Sequence, residues 1–329
     1  MMNLKNMFNG LKSDLIGKKF IEFWEHDEGS LKLWRASSNF VYAFKKNQQR
    51  FFLRFSFERD CSIEQIRAEL DFMQHLVRNG YPCAVPIPSK NGTLVETVST
   101  NDGLYVGVVF SEARGSCLDI ETMTDKQYEQ WGKSLATLHS FAKTYSSVDV
   151  KRKSWQNILE SVETILQRYP LEQEAKNELH RITSWLNSLN ISNDNFGLVH
   201  YDFQLDNVFW DENKHEFNVI DFDDSMYHWF AMDIVTSLKD LFHSKELNKD
   251  KRTQSFLRGY RSILPLDDEM VRLFPNFYRF DQLYVFTRLL VSIENSEIDN
   301  APEWYGGLKI KFKRVIDETR LRFQTPWQN

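Results

Sequence analysis

The sequence predicts an α+β protein in two lobes, a small lobe built on an antiparallel sheet with one helix and a larger, mainly helical lobe. The first third of the chain contains short runs rich in aromatic and β-branched residues, interrupted by one segment of helical periodicity. From residue 124 onward, apolar residues recur mostly at helical spacing. A short β segment, residues 197–226, interrupts that helical half.

The small lobe begins with three expected strands, which polar turns separate: 31–36, 40–45 and 51–56. A helix should follow from Ser62, because Gln65 three residues later completes a capping-box pattern. The pair Asn91-Gly92 predicts a hairpin turn between two short strands. Residues 104–110 form an apolar run that is typical of a buried strand.

The helical half starts at a second capping box, Thr124 with Gln127. A basic run, Lys151-Arg152-Lys153, is interpreted as a solvated loop, and helices are expected over 155–168 and 171–189. The expected division of the chain is a strand-rich lobe at 1–110, a hinge at 111–115 and the helical lobe at 116–329.

Composition excludes several classes of protein. The net charge of −5, without a basic block, argues against a nucleic-acid partner. Only 13 of 329 residues are glycine, about 4% against a usual ~7%, and none belongs to a GxGxxG or GxxxxGK[ST] motif. The three cysteines form no CxxC pair, and the N-terminus lacks the apolar core of a signal peptide. We therefore expect a cytoplasmic protein with no membrane partner.

The β segment places three polar residues at the ends of a predicted hairpin, with strands at 208–210 and 218–220. Asn207 precedes the first strand and Asp221 follows the second, so both should lie at one end, with Asp202 on the loop leading in. Oxygen ligands from few protein groups suit Mg²⁺, which takes further ligands from phosphates, so we expect Asn207 and Asp221 to hold this ion. Phosphoryl transfer also needs a carboxylate that can deprotonate an acceptor hydroxyl, the role we assign to Asp202. His200 is interpreted as structural, packing near Phe222.

The segments HYDFQLDN (200–207) and VIDFDD (219–224) resemble the catalytic and metal-binding loops of the aminoglycoside phosphotransferase and choline kinase-like family, which has a protein-kinase-like fold. The resemblance extends over about residues 31–323. It implies an ATP- and Mg²⁺-dependent phosphotransferase that acts on a hydroxyl of a small molecule. Acidic and aromatic residues scattered through the helical half leave an aminoglycoside, homoserine or a choline-like acceptor open.

The resemblance also implies a nucleotide site. Arg54 stands on the third strand, where protein kinases have a phosphate-binding lysine, and Glu69 on the following helix is its expected partner. On a helical wheel Glu69 lies at the edge of the apolar stripe, and a carboxylate in such a place needs a partner. The expected phosphate loop, which contains no glycine, is Ser37-Ser38-Asn39.

Further residues receive roles from the same resemblance. The main chain around Ser111 and Ala113 would bind adenine, and Asp233 would support the catalytic loop. Asp223 and Asp224 could contact the surroundings of the metal or the acceptor.

One alternative stays open, a catalytically inactive kinase-fold module that binds nucleotide. Arg54 in place of lysine, the glycine-free loop and Asp223 would agree with it, whereas intact Asp202, Asn207 and Asp221 argue against it. The oligomeric state is left open as well.

Overall fold

The computed structural model describes residues 2–101, 103–147, 151–242, 250–299 and 301–327. The strands are β1 (Lys32–Ala36), β2 (Phe40–Lys46), β3 (Gln49–Phe57), β4 (Glu96–Thr100), β5 (Gly103–Ser111), β6 (Phe196–Val199), β7 (Val208–Asp211), β8 (Glu216–Val219) and β9 (Met226–Trp229). The helices are α1 (Leu4–Gly10), α2 (Leu15–Ile21), α3 (Ile63–Arg78), α4 (Asp125–Ala142), α5 (Trp155–Gln167), α6 (Gln173–Ser188), α7 (Phe230–Ser237), α8 (Lys251–Arg261), α9 (Asp268–Arg272), α10 (Phe274–Ile293) and α11 (Glu303–Phe323).

The small lobe is an antiparallel sheet of five strands in the order β1-β2-β3-β5-β4. Alternate residues of β2 point to one face and are buried there, as the period of a half-buried strand requires. Phe55 on β3 stacks against Phe40 and Tyr42 of β2 at ring-centroid distances of 5.4 and 5.7 Å. Phe20 of α2 stacks on the same ring at 5.2 Å, so α2 closes this aromatic core.

Helix α3 connects the two lobes. The Ser62 hydroxyl accepts the main-chain N–H of Gln65, which caps the helix where the sequence predicts its start. The buried apolar side chains of α3 belong to the large core that fills the helical lobe, among them Leu70, Met73 and Leu76. A rotation of α3 would therefore disturb the packing of both lobes.

The helical lobe contains a close crossing of α4 and α8. A Cβ at Gly132 would overlap the Phe256 carbonyl, and one at Gly259 would overlap the Glu129 carbonyl. Trp131 packs edge-on against Phe256 at 5.0 Å beside this crossing. The predicted capping box of α4 is confirmed, since the Thr124 and Gln127 side chains each bond the other's main chain.

Two β ribbons lie within the helical lobe. The β7–β8 hairpin agrees with the prediction, and Ile220 N donates to Asn207 O at 3.0 Å, so the two ends of the hairpin meet as expected. The pairing of β6 with β9 was not predicted. None of the helices among the described residues has the length and apolarity needed to cross a membrane.

The prediction of a hairpin at Asn91-Gly92 is wrong. This turn precedes β4, and the hairpin of this region joins β4 to β5 instead. The Glu96 carboxylate explains the difference, because it accepts hydrogen bonds from Ser89, Asn91 and Thr93 and holds the segment as a loop.

Candidate active site

A cleft of about 320 Å³ lies between the lobes. Its walls come from β1, β2, β3, α3, the segment after β5 and the β7–β8 hairpin. Eight residues assigned to the site from the sequence line it: Ser37, Asn39, Arg54, Glu69, Ser111, Ala113, Asn207 and Asp221. Ser38 is not among the lining residues, so only its neighbours on either side face this space.

The apolar walls of the cleft were not predicted from the sequence. They are Trp34, Val41, Phe52, Met73, Ala84, Phe110, Phe209 and Ile220. Val41 could have been found, because it pairs with Arg54 across β2 and β3 and residues in register share one face of a sheet. Phe52 lies two residues before Arg54 on β3 and pairs with Phe110 of β5, so these two belong to the same sheet face. Phe209 and Ile220 belong to the helical lobe and meet that face only when the lobes fold together.

Arg54 joins two carboxylates at the inner end of the cleft. Its guanidinium lies 2.7 Å from Glu69 Oε2 and 3.6 Å from Asp221 Oδ1, and its side chain is buried. Burial alone would lower the pKa of Arg54, but the charges of Glu69, Asp223 and Asp221 outweigh it and raise that pKa. Arg54 is therefore a fixed positive charge between α3 and the loop after β8.

Asp221 adopts a left-handed backbone conformation, with φ of 64°. Such a conformation is uncommon for residues other than glycine and is concentrated at functional sites. Desolvation and the Asp223 charge raise the pKa of Asp221 well above its usual range, and Arg54 opposes them. A cation next to Asp221 would stabilise its ionised form.

Asn207 separates the proposed base from the proposed metal position. Its Nδ2 donates to Asp202 Oδ2 at 2.8 Å and to Asp202 O at 3.0 Å. Its Oδ1 is buried and has no hydrogen-bond partner among the described residues. Because a buried polar oxygen left unpaired costs free energy, it fits a ligand that the protein does not supply.

The residues present fit a magnesium ion. Asn207 Oδ1 and the Asp221 carboxylate are hard oxygen donors that line one cleft. Within the described ranges, no group of three or more His, Cys, Asp or Glu side chains could hold a metal. A site with two protein ligands suits Mg²⁺, which usually keeps waters and binds substrate phosphates.

Asp202 is held by two amides, those of Gln204 and Asn207. Burial raises the pKa of Asp202, the nearby Asp224 adds to the rise, and Lys239 counteracts it. A raised carboxylate pKa moves toward the range in which general bases work best.

The loop that carries Asp202 is supported from inside the protein. The Asp233 carboxylate accepts the main-chain N–H groups of His200 and Tyr201, and also contacts His139 Nε2 at 2.9 Å. The His200 ring accepts Asp202 N at its Nδ1 and donates from Nε2 to Ile220 O at 2.9 Å. These contacts hold the loop in place, and the structural roles assigned to His200 and Asp233 stay predictions.

Asp223 and Asp224 face different neighbours. Asn39 Nδ2 donates to Asp223 Oδ2 at 2.7 Å, while Arg288 of α10 donates to Asp224 Oδ2 at 2.7 Å. Burial would raise the pKa of Asp224, but Arg288 outweighs it and lowers that pKa. Arg288 carries no sequence signal, because nothing local in the helix pattern indicates a partner 64 residues away.

The interpretation of Lys151-Arg152-Lys153 as a solvated loop is wrong for its central residue. Arg152 is 7% exposed, and its guanidinium donates to the main-chain carbonyls of Gln65, Asp223 and Ser225. The basic composition of this run suggested that Arg152 is exposed to solvent. Arg152 is buried because α3 packs against the loop after β8.

Comparisons with known proteins agree with this arrangement. The phosphotransferase enzyme family matches residues 32–266. An amicoumacin kinase of Bacillus subtilis is 28% identical over 76% of each chain, and a homoserine kinase of Rhizobium rhizogenes is 26% identical over 80% of this chain and 82% of its own. The structure of an amicoumacin kinase in complex with AMP-PNP, Ca²⁺ and Ami superimposes with a TM-score of 0.78 at 22% identity, covering 96% of both chains. The predicted two-lobed, kinase-like fold is thereby confirmed.

Proposed function

The chain belongs to the phosphotransferase enzyme family, and from this premise we propose that it uses the magnesium complex of ATP to phosphorylate a hydroxyl of a small molecule. One observation carries the proposal. Asn207 donates from its amide nitrogen to Asp202, and its buried oxygen has no hydrogen-bond partner in the part of the chain that the structure describes. One side chain thus fixes a general base and offers a ligand to a cation.

Each residue of the site would have its own role in phosphoryl transfer. Asp202 would orient the acceptor hydroxyl and take its proton, with the Gln204 and Asn207 amides holding the carboxylate in place. Arg54 would attract the phosphates while Glu69 fixes its guanidinium. When bound to Asn207 and Asp221, Mg²⁺ would neutralise negative charge on the phosphates.

The nucleotide would lie between the lobes. Val41, Ala84 and Phe110 give the cleft apolar walls suited to a flat base. The main chain at Ser111 and Ala113 would bind the base edge, and Ser37 and Asn39 lie where the phosphates would pass. These positions support the assignment of Ser111, Ala113, Ser37 and Asn39 to nucleotide binding.

The acceptor class follows from the relatives. Their names point to amicoumacin, homoserine, aminopropanol and spectinomycin as substrates or ligands. Homoserine and aminopropanol each carry an amino group in addition to the hydroxyl. We therefore propose an amino-substituted alcohol as the acceptor.

The test is a screen of these acceptors, with choline added, in which ADP formation is coupled to a colour reaction. Acceptor-dependent ADP release that requires Mg²⁺ is the expected result. Asp202→Asn should lower turnover by roughly 10²- to 10⁴-fold, the usual contribution of a positioned general base. Asp206→Asn is the matched control, because Asp206 is an exposed residue of the same loop.

Two results would reject parts of the proposal. Near-normal turnover of Asp202→Asn would remove Asp202 as the base. Binding of Mg·ATP without ADP release for any acceptor would favour the inactive, nucleotide-binding module.

A further inference from the structure

Arg152 is a buried cation that donates three hydrogen bonds to main-chain carbonyls of the described residues. Nε donates to Ser225 O at 2.8 Å, Nη1 donates to Gln65 O at 2.9 Å, and Nη2 donates to Asp223 O. Its neighbours Lys151 and Lys153 are exposed. Burial of a charge is costly unless polar groups compensate it, so three carbonyl dipoles aimed at one guanidinium indicate a specific role.

The carbonyls belong to the two segments that carry the proposed phosphate and metal ligands. Gln65 lies one helical turn before Glu69, and in an α-helix the residue 65 carbonyl also accepts the residue 69 amide. Asp223 and Ser225 follow Asp221 in the loop after β8. Arg152 therefore links two segments, the helical turn that carries Glu69 and the loop that carries Asp221.

Arg54 joins the same two segments through their side chains, at 2.7 Å to Glu69 and 3.6 Å to Asp221. Arg54 lines the cleft and Arg152 is not among its lining residues. The two arginines thus connect α3 to the loop in two ways, Arg54 through side chains and Arg152 through the main chain. If Arg152 were lost, Arg54 would have to hold both carboxylates without the main-chain link.

The backbone of Arg152 is itself anchored in the helical lobe. Lys153 O accepts Tyr227 N at 2.8 Å, and Ser154 caps α5. A planar guanidinium can reach three carbonyls from two segments in a fixed fork, whereas the compact ammonium of lysine has no such geometry. An Arg-to-Lys change at this position should therefore keep the charge and lose the link.

We propose that Arg152 is a positioning residue for Mg·ATP binding, which holds Glu69 and Asp221 in the relation that Arg54 and the metal require. The inference rests on the proposed function, because it assigns Arg152 to the same nucleotide site. It adds a residue outside the cleft to that site.

The experiment measures ATP binding by calorimetry without any acceptor, as a function of Mg²⁺ concentration. It compares the wild type with Arg152→Met, Arg152→Lys and the matched control Lys153→Met. We expect both Arg152 variants to need roughly 10- to 100-fold more Mg²⁺ for the same ATP affinity, as changes behind a metal ligand usually cause. Hydrogen exchange of the first turns of α3 should accelerate in both, and Lys153→Met should match the wild type in both measurements.

The possible outcomes distinguish a failure of the inference about Arg152 from a failure of the proposed function. If the wild type binds no Mg·ATP, the proposed function itself fails. If the wild type binds and a folded Arg152 variant shows the same Mg²⁺ dependence, Arg152 is only structural and the inference fails, even where the melting temperature falls. Should Arg152→Met not fold, Arg152→Lys decides by the same criterion.

Discussion

The Asn39 amide donates a 2.7 Å hydrogen bond to the Asp223 carboxylate, which joins the turn between β1 and β2 to the loop after β8. The two residues are 184 positions apart in the chain. Their bond connects the lobes at the proposed phosphate position, so it should stabilise the arrangement of the lobes before nucleotide binds.

A double-mutant cycle tests this connection. Asn39→Ala, Asp223→Ala and the double variant should show a coupling of about 1–2 kcal/mol in the free energy of unfolding, near the range for a partly buried hydrogen bond to a charged group. Urea denaturation without nucleotide gives the values. Additive effects of the two changes would show that the bond contributes nothing.

Removal of Arg54 should have two separable effects. Arg54→Met leaves Glu69 buried without its partner, so we expect a loss of about 3–5 kcal/mol in the free energy of unfolding. Arg54→Met combined with Glu69→Gln should recover part of this stability. Both variants should bind Mg·ATP roughly 10- to 100-fold more weakly, the equivalent of a lost charge-assisted hydrogen bond. Unchanged ATP affinity in the double variant would place the phosphates elsewhere.

The crossing of α4 and α8 should not tolerate a methyl group. Gly132→Ala would place a Cβ against the Phe256 carbonyl, and we expect a loss of about 1–3 kcal/mol from overpacking. Gly307→Ala in α11 is the control, because it meets nothing within 4 Å and should gain up to about 1 kcal/mol from helix propensity. Thermal unfolding compares the two. Equal melting temperatures would contradict the close crossing.

Acid should destabilise the fold through His228. Burial among Trp229, Phe277 and Phe280 lowers the pKa of His228 to about 3, and Trp229 N donates a hydrogen bond to Nδ1 of the neutral ring. The unfolded chain takes up this proton near pH 6.5 and the folded chain does not, so stability falls as the pH drops from about 6.5 toward 3.

The check compares the wild type with His228→Asn, whose side chain can still accept Trp229 N but does not titrate. Between pH 5.5 and 4 the free energy of unfolding of the wild type should fall more steeply, by about 1.4 kcal/mol per pH unit. Parallel curves for the two proteins would refute the buried neutral imidazole.

The sequence by itself determined several elements and the local part of the site. Strand alternation and capping boxes act over a few residues, so β1 to β3 could be predicted close to their observed bounds, and α3 and α4 could be predicted to start where they do. The hairpin likewise placed Asn207 and Asp221 at one end, because a hairpin fixes its own register. The hairpin at Asn91-Gly92 was mispredicted, because a turn forms there but the side-chain bonds of Glu96 hold the segment as a loop.

The tertiary structure alone decided the partners of Arg152 and Arg288. Arg152 reaches Gln65 from 87 positions away, and Arg288 reaches Asp224 from 64. Neither contact has a periodic signature, because it depends on how α3, α5 and α10 pack around the loop after β8. The physical reason is that a charge is buried by the segments that pack over it, and no local sequence pattern specifies which segments these are.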